Sequence, residues 1–132
     1  MTDLTYVIPK LNSIRTLGMT LTSLASEDVR VCVVDSGSTD GTLELCRRWG
    51  VRVLHFPPGN MYKAINHGLR TVEPTEWVAY INSDDWLYTG SVQRLLNAAP
   101  DADFVYGDCD FVDAQGRLAY ARRAPRPDML IP

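Results

Sequence analysis

Two adjacent carboxylates, Asp84 and Asp85, follow a short apolar segment that ends at Ile81. Adjacent carboxylates repel one another unless a cation or hydrogen-bond donors separate them. Mg²⁺ and Mn²⁺ accept such oxygen ligands and commonly share one or two carboxylates with the phosphates of a substrate. A diphosphate leaving group needs a cation of this kind to take up its developing charge. The pair therefore indicates a divalent-cation site, and acids at the start of a helix are the alternative explanation.

A second polar segment covers residues 35–42 and begins with Asp35. An aspartate at the end of a strand offers an acceptor for a base N–H or a ribose hydroxyl, and Gly37 and Gly41 let the backbone turn tightly. Three residues of the segment can cap a following helix: Ser38, Thr39 and Asp40. An ordinary turn between a strand and a helix is the alternative. The glycine spacing matches neither a Walker phosphate loop nor a GxGxxG fingerprint.

A third segment, residues 59–69, combines small and polar side chains. Ala64 and Gly68 are small on one face of a predicted helix, which allows backbone or ligand to approach closely. Asn66 is the polar residue of this helix that we expect to point towards a ligand.

Short apolar runs alternate along the chain with stretches of helical periodicity. We predict strands at 4–8, 29–34, 51–56, 77–81 and 104–106, helices around 14–24 and at 42–49, 61–71 and 92–99, and a hairpin of 109–112 with 117–120. This alternation predicts an α/β fold, a mostly parallel sheet with helices on both faces that ends in a short antiparallel hairpin. Ligands of such sheets bind beyond the carboxyl ends of the strands, which is where the polar segments fall.

Composition fits one folded domain and excludes several other classes of protein. The chain has 132 residues, of which 45% are hydrophobic and 22% charged, so it is neither a disordered tail nor a disulfide-dense mini-protein. A formal net charge of −3 does not favour a nucleic-acid partner. Its three cysteines (Cys32, Cys46 and Cys109) have no metal or disulfide spacing and suit a reducing compartment. With no signal peptide or apolar span in the sequence, we expect a soluble cytoplasmic protein.

Three motifs in a fixed order carry a family resemblance. VVDSGSTDGT (33–42), GNMYKAINHGL (59–69) and INSDDW (81–86) together resemble the family 2 glycosyltransferases, and in particular bacterial members that build surface polysaccharides. Residues 7–9 with Asn12 are similar to the opening strand of that family, and residues 104–108 to a later strand. The resemblance covers nearly the whole chain and implies the Rossmann-like GT-A fold.

The resemblance also implies an activity and a set of site residues. The activity is inverting transfer of a sugar from a nucleotide-diphosphate sugar, a UDP-sugar above all, to a hydroxyl of a saccharide or lipid-linked acceptor in surface polysaccharide or lipopolysaccharide synthesis. Pro9 and its neighbours would line the nucleoside pocket, Asp35 would contact the base, and Asp84 the ribose or sugar. The expected donor-binding residues are Pro9, Leu11, Asp35, Ser36, Asn66 and Asp84, and the expected ligand of Mg²⁺ or Mn²⁺ is Asp85.

Several positions depart from the usual pattern of the family. Ser36 stands where many members have a second acid, and Leu11 where many have tyrosine. Lys63 replaces a frequent aspartate, and Ile65 a phosphate-contacting arginine of some members.

The sequence contains no clear candidate for the catalytic base. An inverting transfer needs a base to deprotonate the acceptor hydroxyl, and the family places this residue later than the sequence reaches. Asp108 and Asp110 are the candidates that remain within the chain. We therefore expect residues 1–132 to be a single donor-binding domain without the acceptor-binding part. A homo-oligomer, and a peripheral position at the inner face of the membrane, stay open.

Two alternatives belong to other classes of function. A non-catalytic module would bind a nucleotide sugar or a partner protein and transfer nothing. A phosphoacceptor receiver domain has a similar length and alternation, but it needs an acidic pair after its first strand and a late lysine. Residues 9–12 here are PKLN, and no lysine follows Lys63.

Overall fold

The computed structural model describes residues 2–124, and the contacts within it divide the chain after Ser91 into two units. The first unit contains β1 (Leu4–Lys10), α1 (Leu17–Ala25), β2 (Arg30–Asp35), α2 (Thr42–Trp49), β3 (Arg52–His55), α3 (Met61–Thr71) and β4 (Trp77–Tyr80). The helix α4 (Ser91–Ala98) begins at the boundary, and β5 (Cys109–Val112) and β6 (Leu118–Arg122) belong to the second unit. No helix in the described part of the chain has both the length and the apolar character to cross a bilayer.

The first unit is built on a four-stranded parallel sheet with the order β3-β2-β1-β4. Every residue of β1 is buried, which means that both faces of this central strand are covered. The prediction of a mostly parallel α/β sheet is therefore confirmed. The order also decides against a receiver domain, because receiver sheets place the first strand between the second and third, in the order 2-1-3-4-5.

The helix α3 packs directly on the centre of the sheet. Its residue Ala64 forms a buried cluster with Val7 of β1 and Val34 of β2, and Gly68 lies one turn further along the same face. The helix begins where the sequence predicts, because the Oδ1 atom of Asn60 accepts a hydrogen bond from the Lys63 amide at 3.0 Å. The N-terminus of α3 is thereby fixed beside the carboxyl edge of the sheet.

The first strand is longer than predicted, because it continues through Pro9 to Lys10. Alternate residues of a strand face the same neighbouring strand, and the Val7 carbonyl accepts from Ile81 on the β4 side. The nitrogen of Pro9 therefore also faces the β4 side, where the pairing has already ended at Val7 opposite Tyr80. The missing N–H of proline costs no ladder hydrogen bond at this position.

The predicted strand at 104–106 is wrong. Residues 104–108 have no regular secondary structure, and Phe104 is 77% exposed. A strand needs a hydrogen-bonded partner, and three apolar residues supply a weak signal without one. The predicted hairpin is confirmed, with Phe111 stacked on Tyr120 at a ring separation of 4.5 Å.

Gly68 provides a test of how tightly α3 packs on the sheet. A Cβ atom at this position would lie 2.6 Å from Val7 Cγ1 and 2.8 Å from Val34 Cγ2. We expect Gly68→Ala to lower the free energy of unfolding by about 1–3 kcal/mol, although alanine favours helix. The matched control is Gly18→Ala in α1, where the nearest atom is 4.0 Å away, and which we expect to be neutral or slightly stabilising. Equal stabilities of both variants in urea denaturation would contradict the close packing.

Candidate functional site

A crevice of about 850 Å³ opens at the carboxyl edge of the parallel sheet. Four segments border it: residues 9–16 at the end of β1 and beyond it, Ser36 and Asp40 after β2, residues 58–61 with Ala64 at the start of α3, and residues 82–84 after β4. The strand order reverses between β1 and β4, so the connections from these two strands leave in opposite directions and create an opening. All of the lining residues lie in the first unit.

The crevice brings together some of the predicted donor-binding residues and leaves others out. Pro9, Leu11, Ser36 and Asp84 line it. Asp35, Asn66 and Asp85 are not among the lining residues. Asn66 is exposed on α3 two residues after the crevice-lining Ala64, and a step of two residues turns a helix by more than half a circle. The expectation that Asn66 points into the crevice is therefore not met.

Asp35 is 2% exposed, and its carboxylate is fully hydrogen-bonded within the protein. Its Oδ1 atom accepts from Lys10 Nζ at 2.6 Å and from Ser38 Oγ at 2.5 Å. Its Oδ2 atom accepts from the amides of Gly37 at 3.0 Å and Ser38 at 3.1 Å. Burial by itself would raise the pKa of Asp35, but the hydrogen bonds from Lys10, Ser38 and Gly37 outweigh it and lower the pKa to about 2.

Lys10 is not among the predicted site residues, and its side chain is completely buried against Asp35. The parallel register places Lys10 directly opposite Asp35, since each is the last residue of its strand. A buried ammonium needs a charged or hydrogen-bonding partner, and this one has both Asp35 and the Ser38 hydroxyl, at 3.2 Å. Opposite charges at the ends of two apolar segments were the available signal, but the register that pairs them is a property of the sheet.

Further hydrogen bonds join the segment after β1 to the turn after β2. The Asn12 amide donates to Ser38 Oγ at 2.9 Å, and Asn12 Oδ1 accepts from the Thr39 amide at 2.9 Å. Asn12 adopts a left-handed backbone conformation with φ of 52°, a region that asparagine tolerates better than most residues. The two segments therefore form one wall of the crevice.

Asp40 extends the same wall towards α2. Its carboxylate accepts from the amides of Ile14 and Thr42, both at 3.1 Å, and from the Thr42 hydroxyl. The residue at the N-cap position of α2 is Gly41, with φ of 94° and no side chain, so Asp40 satisfies the first amide of the helix from one position earlier. The prediction that one of three polar residues caps α2 is met in this modified form.

The segment after β4 is tied to both α1 and the segment after β1. The Thr20 hydroxyl of α1 donates to the Asp85 carbonyl at 2.6 Å, and the Ser13 and Ser83 hydroxyls are 2.7 Å apart. Asp84 and Asp85 are both exposed. Partial burial, and secondly the negative charge of Asp84, raise the pKa of Asp85, while a hydrogen bond from Asn82 lowers it.

The oxygen atoms after β4 fit a hard divalent cation. They comprise two exposed carboxylates and Asn82 Oδ1, a buried atom with no hydrogen-bond partner among the described residues. The residues from 2 to 124 contain no group of three or more His, Cys, Asp or Glu side chains that could hold a metal ion. The donor set thus suits Mg²⁺ or Mn²⁺ held by one or two carboxylates and completed by phosphate oxygens and water.

The two candidate bases lie in the second unit. Asp108 closes the open end of the hairpin, where its carboxylate accepts from the Ala124 amide at 2.7 Å and from Arg123 at 3.1 Å. These contacts lower the pKa of Asp108, and the hydrogen bond from the Ala124 amide has the largest effect. The lower pKa makes Asp108 a weaker base. Asp110 is half-buried in β5, opposite Ala121 of β6. A catalytic role for either residue stays a prediction.

Comparison with known sequences places the chain in a family. Residues 5–129 match the family described as glycosyl transferase family 2. The chain belongs to this family. A PGL/p-HBAD biosynthesis glycosyltransferase of Mycobacterium bovis is 31% identical over 115 residues, which is 77% of this chain and 44% of the relative. The family 2 chain thus spans less than half the length of that relative.

Solved structures of two glycosyltransferases show that the fold is GT-A. Residues 1–349 of Staphylococcus aureus TarS superpose with a TM-score of 0.67 at 25% identity, covering 76% of this chain and 33% of that 1–349 chain. Glucosyl-3-phosphoglycerate synthase from Mycobacterium tuberculosis, in complex with UDP, gives a TM-score of 0.62 at 25% identity, covering 77% and 41% of the two chains. The expected GT-A fold of this family 2 chain is therefore confirmed.

The low pKa of Asp35 makes the stability of the protein depend on pH. The folded state lowers this pKa from 3.8 to about 2, so the stabilisation is complete above pH 5 and is lost as the pH falls towards 2. We expect wild type to lose about 2 kcal/mol of unfolding free energy more than Asp35→Asn between pH 6 and pH 2, because the other acids titrate in both proteins. Urea denaturation across this pH range measures the difference, and parallel curves would show that Asp35 is not the ionised partner of Lys10.

Proposed function

We propose that this chain is the donor-binding part of a metal-dependent, inverting glycosyltransferase. One observation carries the proposal: a single crevice at the carboxyl edge of a GT-A sheet places Asp84 together with Pro9, Leu11 and Ser36. A nucleotide-diphosphate sugar has an uncharged, planar base at one end, and a charged diphosphate with its sugar at the other. The crevice combines the apolar side chains of Pro9 and Leu11, at the end of β1 and just beyond it, with the Asp84 carboxylate after β4.

Asp85, assisted by Asp84, is the proposed ligand of Mg²⁺ or Mn²⁺. When bound, the cation neutralises the charge that develops on the leaving diphosphate. The residues of the chain itself orient the ligand: Asn82 donates a hydrogen bond to the Asp85 carboxylate, and Thr20 holds the Asp85 carbonyl at 2.6 Å. Asp84, which lines the crevice, is the proposed contact to the ribose or the sugar.

A UDP-sugar is the donor that we favour. The glucosyl-3-phosphoglycerate synthase whose fold resembles this chain is 25% identical to it in sequence, and its crystal structure is a complex with UDP. Pro9, Leu11 and Ser36 are the proposed contacts to the uridine. The acceptor that we propose is a saccharide or lipid-linked hydroxyl in surface polysaccharide or lipopolysaccharide synthesis, and we place this reaction in the cytoplasm.

Thermal unfolding with and without the donor tests the proposal. We expect UDP-glucose with Mn²⁺ to raise the melting temperature by a few degrees, and UDP-glucose alone to raise it much less. Asp85→Asn should abolish the part of the shift that depends on Mn²⁺, because it removes a charged oxygen ligand.

The matched control is Asp101→Asn, which removes an exposed carboxylate of the second unit. This variant should keep the full shift with Mn²⁺. An unchanged shift in Asp85→Asn would contradict the metal assignment. No shift in wild type with UDP-, GDP- or dTDP-sugars would contradict the proposed function, and binding without any sugar transfer would favour a non-catalytic module.

A further inference from the structure

The side chain of Lys10 is buried at the edge of the crevice, where it cannot reach a ligand directly. The residue is 6% exposed and its side chain is fully covered. The ammonium group lies 2.6 Å from Asp35 Oδ1 and 3.2 Å from Ser38 Oγ. Its effect on a bound nucleotide must therefore pass through these two partners.

The hydrogen-bond acceptor positions of the Asp35 carboxylate are already occupied within the protein. A carboxylate has about four lone-pair positions. Lys10, the Ser38 hydroxyl and the amides of Gly37 and Ser38 supply four donors at 2.5–3.1 Å. A base N–H could bind Asp35 only by displacing one of these donors.

The Asp35 carboxylate holds the turn after β2 in place. Its Oδ2 atom fixes Gly37, whose φ of 101° few other residues adopt, and the Ser38 amide. Ser38 Oγ in turn accepts from the Asn12 amide at 2.9 Å. Ser36 and Asn12, which line the crevice, are therefore positioned by the Lys10 and Asp35 side chains, which are buried behind its surface.

From these contacts we infer that Lys10 is a positioning residue, which engages Asp35 in the wall of the nucleoside pocket and so withholds it from direct contact with the base. The inference rests on the proposed function, since it concerns how the same crevice holds its nucleotide. The uncharged wall that results recognises the base through Ser36, Asn12 and backbone groups. Removing either charge of the Lys10–Asp35 pair distorts the turn after β2. Because this turn contacts any bound base, and no single edge of the base is affected, we expect all bases to bind less tightly to the same degree.

The affinities of UDP and CDP, measured by calorimetry at a fixed Mn²⁺ concentration, test the inference. Uracil carries an N3–H that a carboxylate can accept, and cytosine does not. We expect Lys10→Met and Asp35→Asn each to weaken both nucleotides by about fivefold or more, with the ratio of the two Kd values unchanged within about twofold. The double variant should bind each nucleotide no more weakly than the single variant with the lower affinity, because the two residues act as one unit.

Two further variants guard the test against a loss of folding. Ser38→Ala keeps the ion pair but removes the hydroxyl that links it to Asn12, and we expect a smaller, equal weakening of both nucleotides. Lys63→Met is the matched control, because it makes the same substitution at an exposed lysine of α3 and should leave both affinities unchanged. All measurements are made well below the melting temperature of each variant.

The remaining outcomes overturn the inference in distinguishable ways. A fall in the preference for UDP over CDP of about tenfold in Asp35→Asn would show a direct contact to N3–H. Unchanged affinities in folded Lys10→Met and Ser38→Ala would show that the pair stabilises the fold and nothing more. Either result leaves the proposed function intact, whereas a wild type that binds neither nucleotide would overturn both.

Discussion

A lysine and an aspartate, both buried, face each other at the ends of β1 and β2, and the candidate site is arranged around their contact. Burial of either charge alone would be costly, so the two side chains hold one another in a single geometry. The Ser38 hydroxyl joins the pair and carries its geometry to the segment after β1. From there the hydroxyls of Ser13 and Ser83 extend the network to the end of β4. Three strand ends are thereby fixed relative to one another.

The sheet and α3 supply the frame on which this network depends. The order β3-β2-β1-β4 places the reversal of strand order beside β1, and the crevice opens there. The absence of a side chain at Gly68 lets α3 lie close against Val7 and Val34. The start of the same helix, fixed by Asn60, then borders the crevice at Ala64. Tight packing at the centre of the sheet and an open crevice at its edge are therefore two consequences of one helix position.

The two ends of the crevice have different electrostatic character. At the β2 end, the Asp35 charge is neutralised by Lys10 and shielded from the crevice. At the β4 end, Asp84 and Asp85 are exposed, and the negative charge of Asp84 helps to raise the pKa of Asp85. A cation that bridges a carboxylate and a diphosphate would relieve this repulsion. The arrangement suits a ligand with a neutral base and a charged diphosphate, which is why a nucleotide sugar is the donor that we propose for this family 2 chain.

Local patterns in the sequence determined much of this protein: the helices α2 and α3 at their observed bounds, the Asn60 cap, the parallel sheet and the positions of the polar segments at its carboxyl edge. These features depend on periodicity, turn residues and caps, which act over a few residues. The tertiary structure alone decided that Pro9 continues β1, that residues 104–106 form no strand, and that Asn66 lies away from the crevice. It also decided which groups Asp35 contacts within the protein. A carboxylate at a strand end is equally suited to a ligand or to a buried lysine, and only the register between β1 and β2 brings Lys10 to it.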